Sequence, residues 1–90
     1  MRTEPLPHPV DRHVGQRLRI RRRALGMSQM ALASRLGVSF QQVQKYERGT
    51  NRLSASTLHA AAVALETPVA GFFAGLDGAG GPVPGPDPVS

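Results

Sequence analysis

The chain has 90 residues, enough for one small domain, and it contains no cysteine, so disulfide bonds, thiolate metal sites and a thiol nucleophile are excluded. Its net charge is +5, but the segment from Val10 to Leu53 holds ten of the eleven Lys and Arg residues and two of the six Asp and Glu residues, a net +8. Such a concentrated basic segment favours a polyanionic partner, either nucleic acid or an acidic membrane surface.

The two ends of the chain differ in composition from its middle. Residues 1–9 contain three prolines and are expected to form a flexible arm. Residues 74–90 are mostly Gly, Pro and Ala, which bury too little apolar surface to offset the entropy lost on ordering, so a disordered tail is predicted. One folded domain is therefore expected over residues 10–73, and it should be all-α because no run alternates with the two-residue period of a strand.

The first helix is predicted to begin near Val10 or Asp11 and to stop at Gly26, because glycine often follows a helix end. Apolar residues recur at helical spacing along one face, which is expected to be buried. These residues are Val10, Val14, Leu18 and Leu25.

Three further helices are predicted, each after a serine that can accept a hydrogen bond from a free N–H of the first turn. They follow Ser28, Ser39 and Ser54 and cover residues 29–36, 40–47 and 55–65. Pro68 suits the first turn of a short fifth helix, from which Phe72 and Phe73 are expected to close the core. The other predicted inward residues are Leu32, Ala33, Leu36, Val43, Tyr46, Leu58, Ala61, Ala62 and Leu65.

The connection between the second and third helices is very short, consisting of Gly37, Val38 and Ser39. A turn of this length that begins with glycine forces two helices to cross steeply. Ala33 supplies the small residue that the crossing requires. The pattern favours a helix-turn-helix motif, and the structural alternative is a plain helical hairpin inside a bundle.

The third helix is predicted to have a distinct outward face. At about 100° per residue, Val43 and Tyr46 define its buried side. The side chains that point outward or flank that direction are long hydrogen-bonding groups: Gln41, Gln44, Lys45 and Arg48.

These outward side chains match the chemistry of base edges in the major groove of DNA. Glutamine can pair bidentately with adenine, and lysine can donate to O6 and N7 of guanine. Phe40 has two interpretations, which are contact with a thymine methyl group and packing against the second helix. The predicted base-reading residues are Phe40, Gln41, Gln44 and Lys45.

Val14 to Phe73 resembles the phage-repressor-like, Xre-type helix-turn-helix family. The matching segments are GMSQ at 26–29, LASRLGVS at 32–39, KYERG at 45–49 and LSASTLHAAAVAL at 53–65. The resemblance implies a compact five-helix bundle of the lambda-repressor-like type. It also implies binding of operator DNA by a symmetric homodimer.

The resemblance also implies roles for individual residues. Gln29 matches a glutamine that contacts phosphate and braces a side chain of the recognition helix. Arg22 and Glu47 match a pair that forms a salt bridge between the first and third helices. The positions implied to contact the DNA backbone are Gln29, Ser39, Gln42, Arg48, Thr50, Asn51 and Arg52, and Ser39 also matches a recognition position.

Two departures from the family pattern bear on the fold. Arg21 stands where an apolar residue is common, and Leu25 is expected to compensate for it one turn later. Glu66 replaces a common glycine after the fourth helix.

The expected function is sequence-specific binding of double-stranded DNA by a transcriptional regulator, of the repressor kind. The alternative is an antitoxin-like module that binds a partner protein, either with or without DNA binding as a second property. Such a module would be marked by a long apolar or amphipathic extension outside the bundle, and the Gly/Pro tail provides none. Binding to a membrane surface is disfavoured because the basic run 19–23 lacks an accompanying wedge of large apolar side chains.

No catalytic set or phosphate loop is evident, and the three histidines show no metal-ligand spacing, so neither enzyme activity nor a metal or cofactor is expected. No small-molecule ligand is evident either. The first ten residues do not resemble a signal peptide, and no apolar run is long enough for a membrane span. The protein is therefore expected in the cytoplasm, associated with the nucleoid.

Overall fold

The computed structural model describes residues 7–76, which contain no strand. The all-α prediction is therefore confirmed for this part of the chain, whereas most of the predicted arm and tail (residues 1–6 and 77–90) lies outside the described residues. Four α-helices and one 3-10 helix are present among residues 7–76. In chain order they are α1 (Pro9–Ala24), α2 (Gln29–Leu36), α3 (Phe40–Arg48), α4 (Ala55–Ala64) and the 3-10 helix (Val69–Phe73).

Side-chain caps define the start of each α-helix. The Oγ atoms of Ser28, Ser39 and Ser54 each accept a hydrogen bond from the backbone N–H three residues later, at 3.0, 3.0 and 3.2 Å. The three predicted serine caps are thus confirmed. α1 is capped by Nδ1 of His8, which accepts a hydrogen bond from the backbone N–H of Val10 at 3.1 Å. Pro9 occupies the first helical position, one residue before the predicted start.

One core connects all five helical segments. Its largest fully buried side chains are Phe72, Leu18, Leu32, Leu65 and Val43. The remaining buried apolar residues are Val14, Ala33, Tyr46, Ala61, Ala62 and Ala64, with Val10, Leu36 and Leu58 partly buried against them.

Two residues predicted for the core, Leu25 and Phe73, are each 38% exposed. Leu25 follows the last residue of α1, so its side chain does not continue the apolar face of that helix. The fifth segment is a 3-10 helix rather than an α-helix. With three residues per turn, neighbouring side chains point about 120° apart, so Phe72 enters the core and Phe73 does not.

Arg21 has a structural role that the sequence did not reveal. Its Nε donates to the carbonyl of Leu65 at 2.8 Å, and its Nη2 donates to the carbonyl of Glu66 at 3.0 Å. These carbonyls lie at the end of α4, where backbone acceptors have no partner within the helix. Arg21 therefore joins α1 to the end of α4, and the expected compensation by Leu25 is wrong. Glu66 itself has φ 54°, the left-handed conformation that favours glycine.

The backbones of α1 and α3 are in direct contact. A Cβ atom at Gly15 would lie 2.2 Å from the carbonyl oxygen of Tyr46 and 3.0 Å from that of Glu47. A Cβ atom at Gly49, which ends α3 with φ +79°, would lie 2.7 Å from Cα of Arg12. Because glycine removes a side chain at both points, α1 supports α3 without intervening atoms.

Candidate nucleic-acid interface

α3 has one buried and one outward side. Val43 is fully buried and Tyr46 is 7% exposed, so this side belongs to the core. Gln41, Lys45 and Arg48 are exposed on the other side. These three polar side chains are therefore available to a ligand without loss of packing.

The first turn of α3 is held by its cap. The hydroxyl of Ser39 accepts the N–H of Gln42 at 3.0 Å, and the side chain of Gln42 is half-buried. Phe40 is 38% exposed, which leaves both of its interpretations open.

A buried carboxylate joins the first three helices. Glu47, whose side chain is 3% exposed, accepts two hydrogen bonds from Arg22, from Nε at 2.6 Å and from Nη2 at 3.1 Å. Nε2 of Gln29 donates to the same carboxylate at 2.9 Å, and Nη1 of Arg22 donates to the carbonyl of Met27 at 2.7 Å. Bidentate arginine–carboxylate pairs combine strength with a fixed geometry, so this network sets the orientation of α3 against α1 and α2.

A cleft of about 360 Å³ lies over this network, where α1, α2 and α3 meet. Gln44 is half-buried and lines the cleft, so it faces the neighbouring helices more than the sequence indicated. The other lining residues are Arg19, Arg22, Arg23, Gln29, Glu47 and Arg48.

The segment after α3 folds back onto the end of that helix. The carbonyl of Lys45 accepts hydrogen bonds from the N–H and Oγ1 of Thr50, at 3.0 and 3.2 Å, and from the N–H of Asn51 at 3.4 Å. Nε of Arg52 donates to both carboxylate oxygens of Asp11, at 3.1 and 3.0 Å, although the arginine side chain is 72% exposed. The three residues 50–52 are thus exposed beside α3, and Arg52 is paired with α1.

Sequence reasoning assigned no individual role to Arg19 and Arg23, which line the cleft from α1. Their spacing of four residues indicates that they share a helix face, but the side of α1 that lies next to α3 could be identified only from the packing. Within residues 7–76, no group of three or more potential metal-binding side chains comes together. None of the helices in this range has both the length and the apolar character needed to cross a bilayer.

The sequence matches known proteins over most of its length. A family model described as a helix-turn-helix domain matches residues 13–71. An uncharacterized HTH-type transcriptional regulator from Sinorhizobium medicae is 53% identical over 75 residues, which cover 83% of this chain and 54% of the relative. An uncharacterized transcriptional regulator in the ATPase CF(0) region of Rhodospirillum rubrum is 60% identical over 70 residues, which cover 78% of this chain and 65% of that protein. The chain thus spans between about half and two thirds of the length of these relatives.

Solved structures share the fold. The restriction-modification controller protein C.AhdI from Aeromonas hydrophila superposes with a TM-score of 0.66 at 35% identity, covering 69% of this chain and 94% of that one. The master regulator for biofilm formation SinR, solved in complex with DNA, gives a TM-score of 0.62 at 26% identity, covering 67% and 97%. HppE, solved with FeII and substrate, gives 0.64 at 28% identity, but the match covers only 36% of its chain.

The chain belongs to the helix-turn-helix domain family. Its relatives are transcriptional regulators, and the family resemblance inferred from its motifs is confirmed.

Proposed function

We propose that this protein is a sequence-specific transcriptional regulator, acting as a repressor, which binds double-stranded DNA as a homodimer with α3 in the major groove. The observation that carries the proposal is the division of α3 into a fully packed side at Val43 and an exposed polar side at Gln41 and Lys45. The regulators among its relatives, and SinR in complex with DNA, support it. Its place of action is then the cytoplasm, on the chromosome.

In this proposal, the outward residues of α3 read bases and the residues around them hold phosphates, since base contacts specify and phosphate contacts position. Gln41 and Lys45 are the central readers, with Phe40 and Gln44 at the edges of the reading face. The phosphate contacts come from the ends of helices and the loop after α3. They are Gln29, Ser39, Gln42, Arg48, Thr50, Asn51 and Arg52.

HppE indicates that this fold also occurs as about a third of a longer metal-binding protein. We propose no enzymatic role for the chain described here. Its surface beside α3 is rich in cations and amides, which suits a polyanion better than a reacting substrate.

The test begins with selection of bound sequences from a random DNA pool, which yields the preferred site. On that site, Gln41→Ala and Lys45→Ala are each expected to weaken binding by about 1 to 3 kcal/mol, because a base contact is lost. On random DNA each substitution should cost much less, so the preference at one base pair relaxes.

Arg48→Ala is the matched control, because Arg48 is exposed on the same helix and is assigned to the backbone. It should weaken binding to both DNAs about equally and reduce the salt slope by about one. If Gln41→Ala and Lys45→Ala behave like Arg48→Ala, α3 does not read bases and the protein is a general DNA binder.

A further inference from the structure

Four long polar side chains lie in a row along α1. Arg12, Gln16, Arg19 and Arg23 are separated by four, three and four residues, which places them within an arc of about 60° on the helix. All four are exposed. The row is about 16 Å long at 1.5 Å per residue, and we call it the α1 stripe.

The α1 stripe lies next to α3. Its arc begins about 40° around the helix from Gly15, the residue at which α1 touches α3. Arg12, Gln16 and Arg19 line one depression together with Glu47 and Arg48, at the end of α3. Arg19 and Arg23 line the neighbouring cleft, again together with Arg48. The stripe and the polar end of α3 therefore form one continuous cationic surface.

The charge of this surface is not neutralised by the carboxylate beneath it. Glu47 is 9% exposed, and both of its carboxylate oxygens accept hydrogen bonds from Arg22 or Gln29. Its negative charge is therefore already paired within the fold. Among residues 7–76, Arg22 and Arg52 are the arginines that form salt bridges to described carboxylates. Arg21 and Arg22 of α1 make hydrogen bonds within the fold, but the three arginines of the stripe make no side-chain hydrogen bond with another described residue.

We propose that the α1 stripe is a second phosphate-binding surface, which holds one strand of the DNA backbone beside the groove that α3 occupies. This proposal rests on the proposed function and adds residues to its interface. A solvated helix face would also carry exposed arginines. A face that is merely solvated has no need for three arginines within one arc. Here the three arginines lie on the exposed flank of α1 beside α3, and the stripe contains no acidic residue. One strand of duplex DNA carries one charge per about 3.4 Å of helix axis, so a row of this length can follow several successive phosphates.

The first test is loss of charge. Arg19→Ala combined with Arg23→Ala should weaken binding to preferred and random DNA alike and reduce the slope of log affinity against log salt by about 1.8, or about 0.9 per phosphate contact. The double variant Arg19→Lys with Arg23→Lys should retain most of the salt slope, because lysine keeps the positive charge and can bind a phosphate as a point charge. The thermal midpoint of both variants should match that of the unmodified chain, since the side chains are exposed.

The matched control is Arg35→Ala, which removes the same charge from an exposed position of α2 about 120° around that helix from Gln29. It should leave the slope nearly unchanged. The second test is gain of charge: Gln16→Arg, within the stripe, should steepen the slope by about 0.9, whereas Ser34→Arg on the exposed face of α2 should not. A gain of affinity cannot result from misfolding.

The outcomes separate the two proposals. If the unmodified chain binds DNA with a steep salt slope, but the substitutions at positions 16, 19 and 23 act no differently from those at 34 and 35, the stripe proposal is overturned and DNA binding stands. If the unmodified chain shows no salt-dependent DNA affinity, the proposed function itself fails.

Discussion

Glu47 and Arg22 are the two buried charged residues among residues 7–76, with exposures of 9% and 8%. A buried pair is not by itself strong evidence for stability, because both ions lose hydration when they enter the fold. Removal of one partner is strongly destabilising, because it leaves the other charge buried without compensation. The network should therefore be judged by the coupling between its members.

We expect Glu47→Ala to lower the free energy of unfolding by about 3 to 5 kcal/mol, a large part of the about 5 to 15 kcal/mol available to a domain. The double variant Arg22→Ala with Glu47→Ala should lose clearly less than the two single losses combined, because neither charge is then left alone. Urea unfolding of the four proteins measures this. Additivity within about 0.5 kcal/mol would show that the two side chains do not stabilise each other.

The buried network also illustrates how far individual residues were predictable. The motif resemblance indicated that Arg22 and Glu47 would pair and that Gln29 would brace a side chain of α3, but it did not identify that side chain as Glu47. Arg21 was misinterpreted because a charge at an apolar position suggests a defect. Its partners are backbone carbonyls 44 and 45 residues away, which have no signature in the sequence.

At the scale of elements, the helix starts and the helix-turn-helix motif were predicted, whereas the side of α1 that packs beside α3 was not. α2, α3 and α4 begin where serine caps indicated, and their ends lie within one residue of the prediction, because caps and glycines act locally. The type of the fifth segment was not predicted, since a proline at its start is compatible with either an α-helix or a 3-10 helix. The α1 stripe could be recognised as a face from its spacing, but its position beside α3 depends on tertiary packing.

The contact between α1 and α3 makes a prediction about Gly15. At an exposed position inside a helix, replacement of glycine by alanine raises the free energy of unfolding by up to about 1 kcal/mol. Here the sign should reverse, because the new methyl group would meet the backbone carbonyl of Tyr46, which cannot rotate away. We expect Gly15→Ala to destabilise the domain by about 2 kcal/mol, within the range of overpacked cores, and to weaken DNA binding because α3 is displaced.

Thermal unfolding and DNA titration check this expectation. The neighbouring exposed residue supplies the control, since Gln16→Ala should change stability by no more than about 0.5 kcal/mol. A Gly15→Ala variant as stable as the unmodified chain would mean that the two helices are not held at this contact.

At the scale of the whole molecule, the proposed homodimer determines the form of the binding site. Two symmetric copies should select a near-palindrome with half-site centres about 34 to 36 Å apart, one turn of DNA. Insertion of about five base pairs between the half-sites should greatly reduce affinity, because the second half-site then faces the opposite side of the duplex. A sedimentation or mass measurement of the complex should give two chains per site. One chain per site, with indifference to the insertion, would establish binding as a monomer.

The position of Tyr46 has a further consequence. It is the single tyrosine of the chain, which has no tryptophan, and it is 7% exposed on the packed side of α3. The intrinsic fluorescence of the protein therefore originates from the helix proposed to enter the groove, and it reports whether that helix is docked. Circular dichroism in the far ultraviolet averages over all helices. Coincident transitions of the two signals would mark a single cooperative unit, whereas an earlier change in fluorescence would mark local release of α3 from an otherwise folded domain.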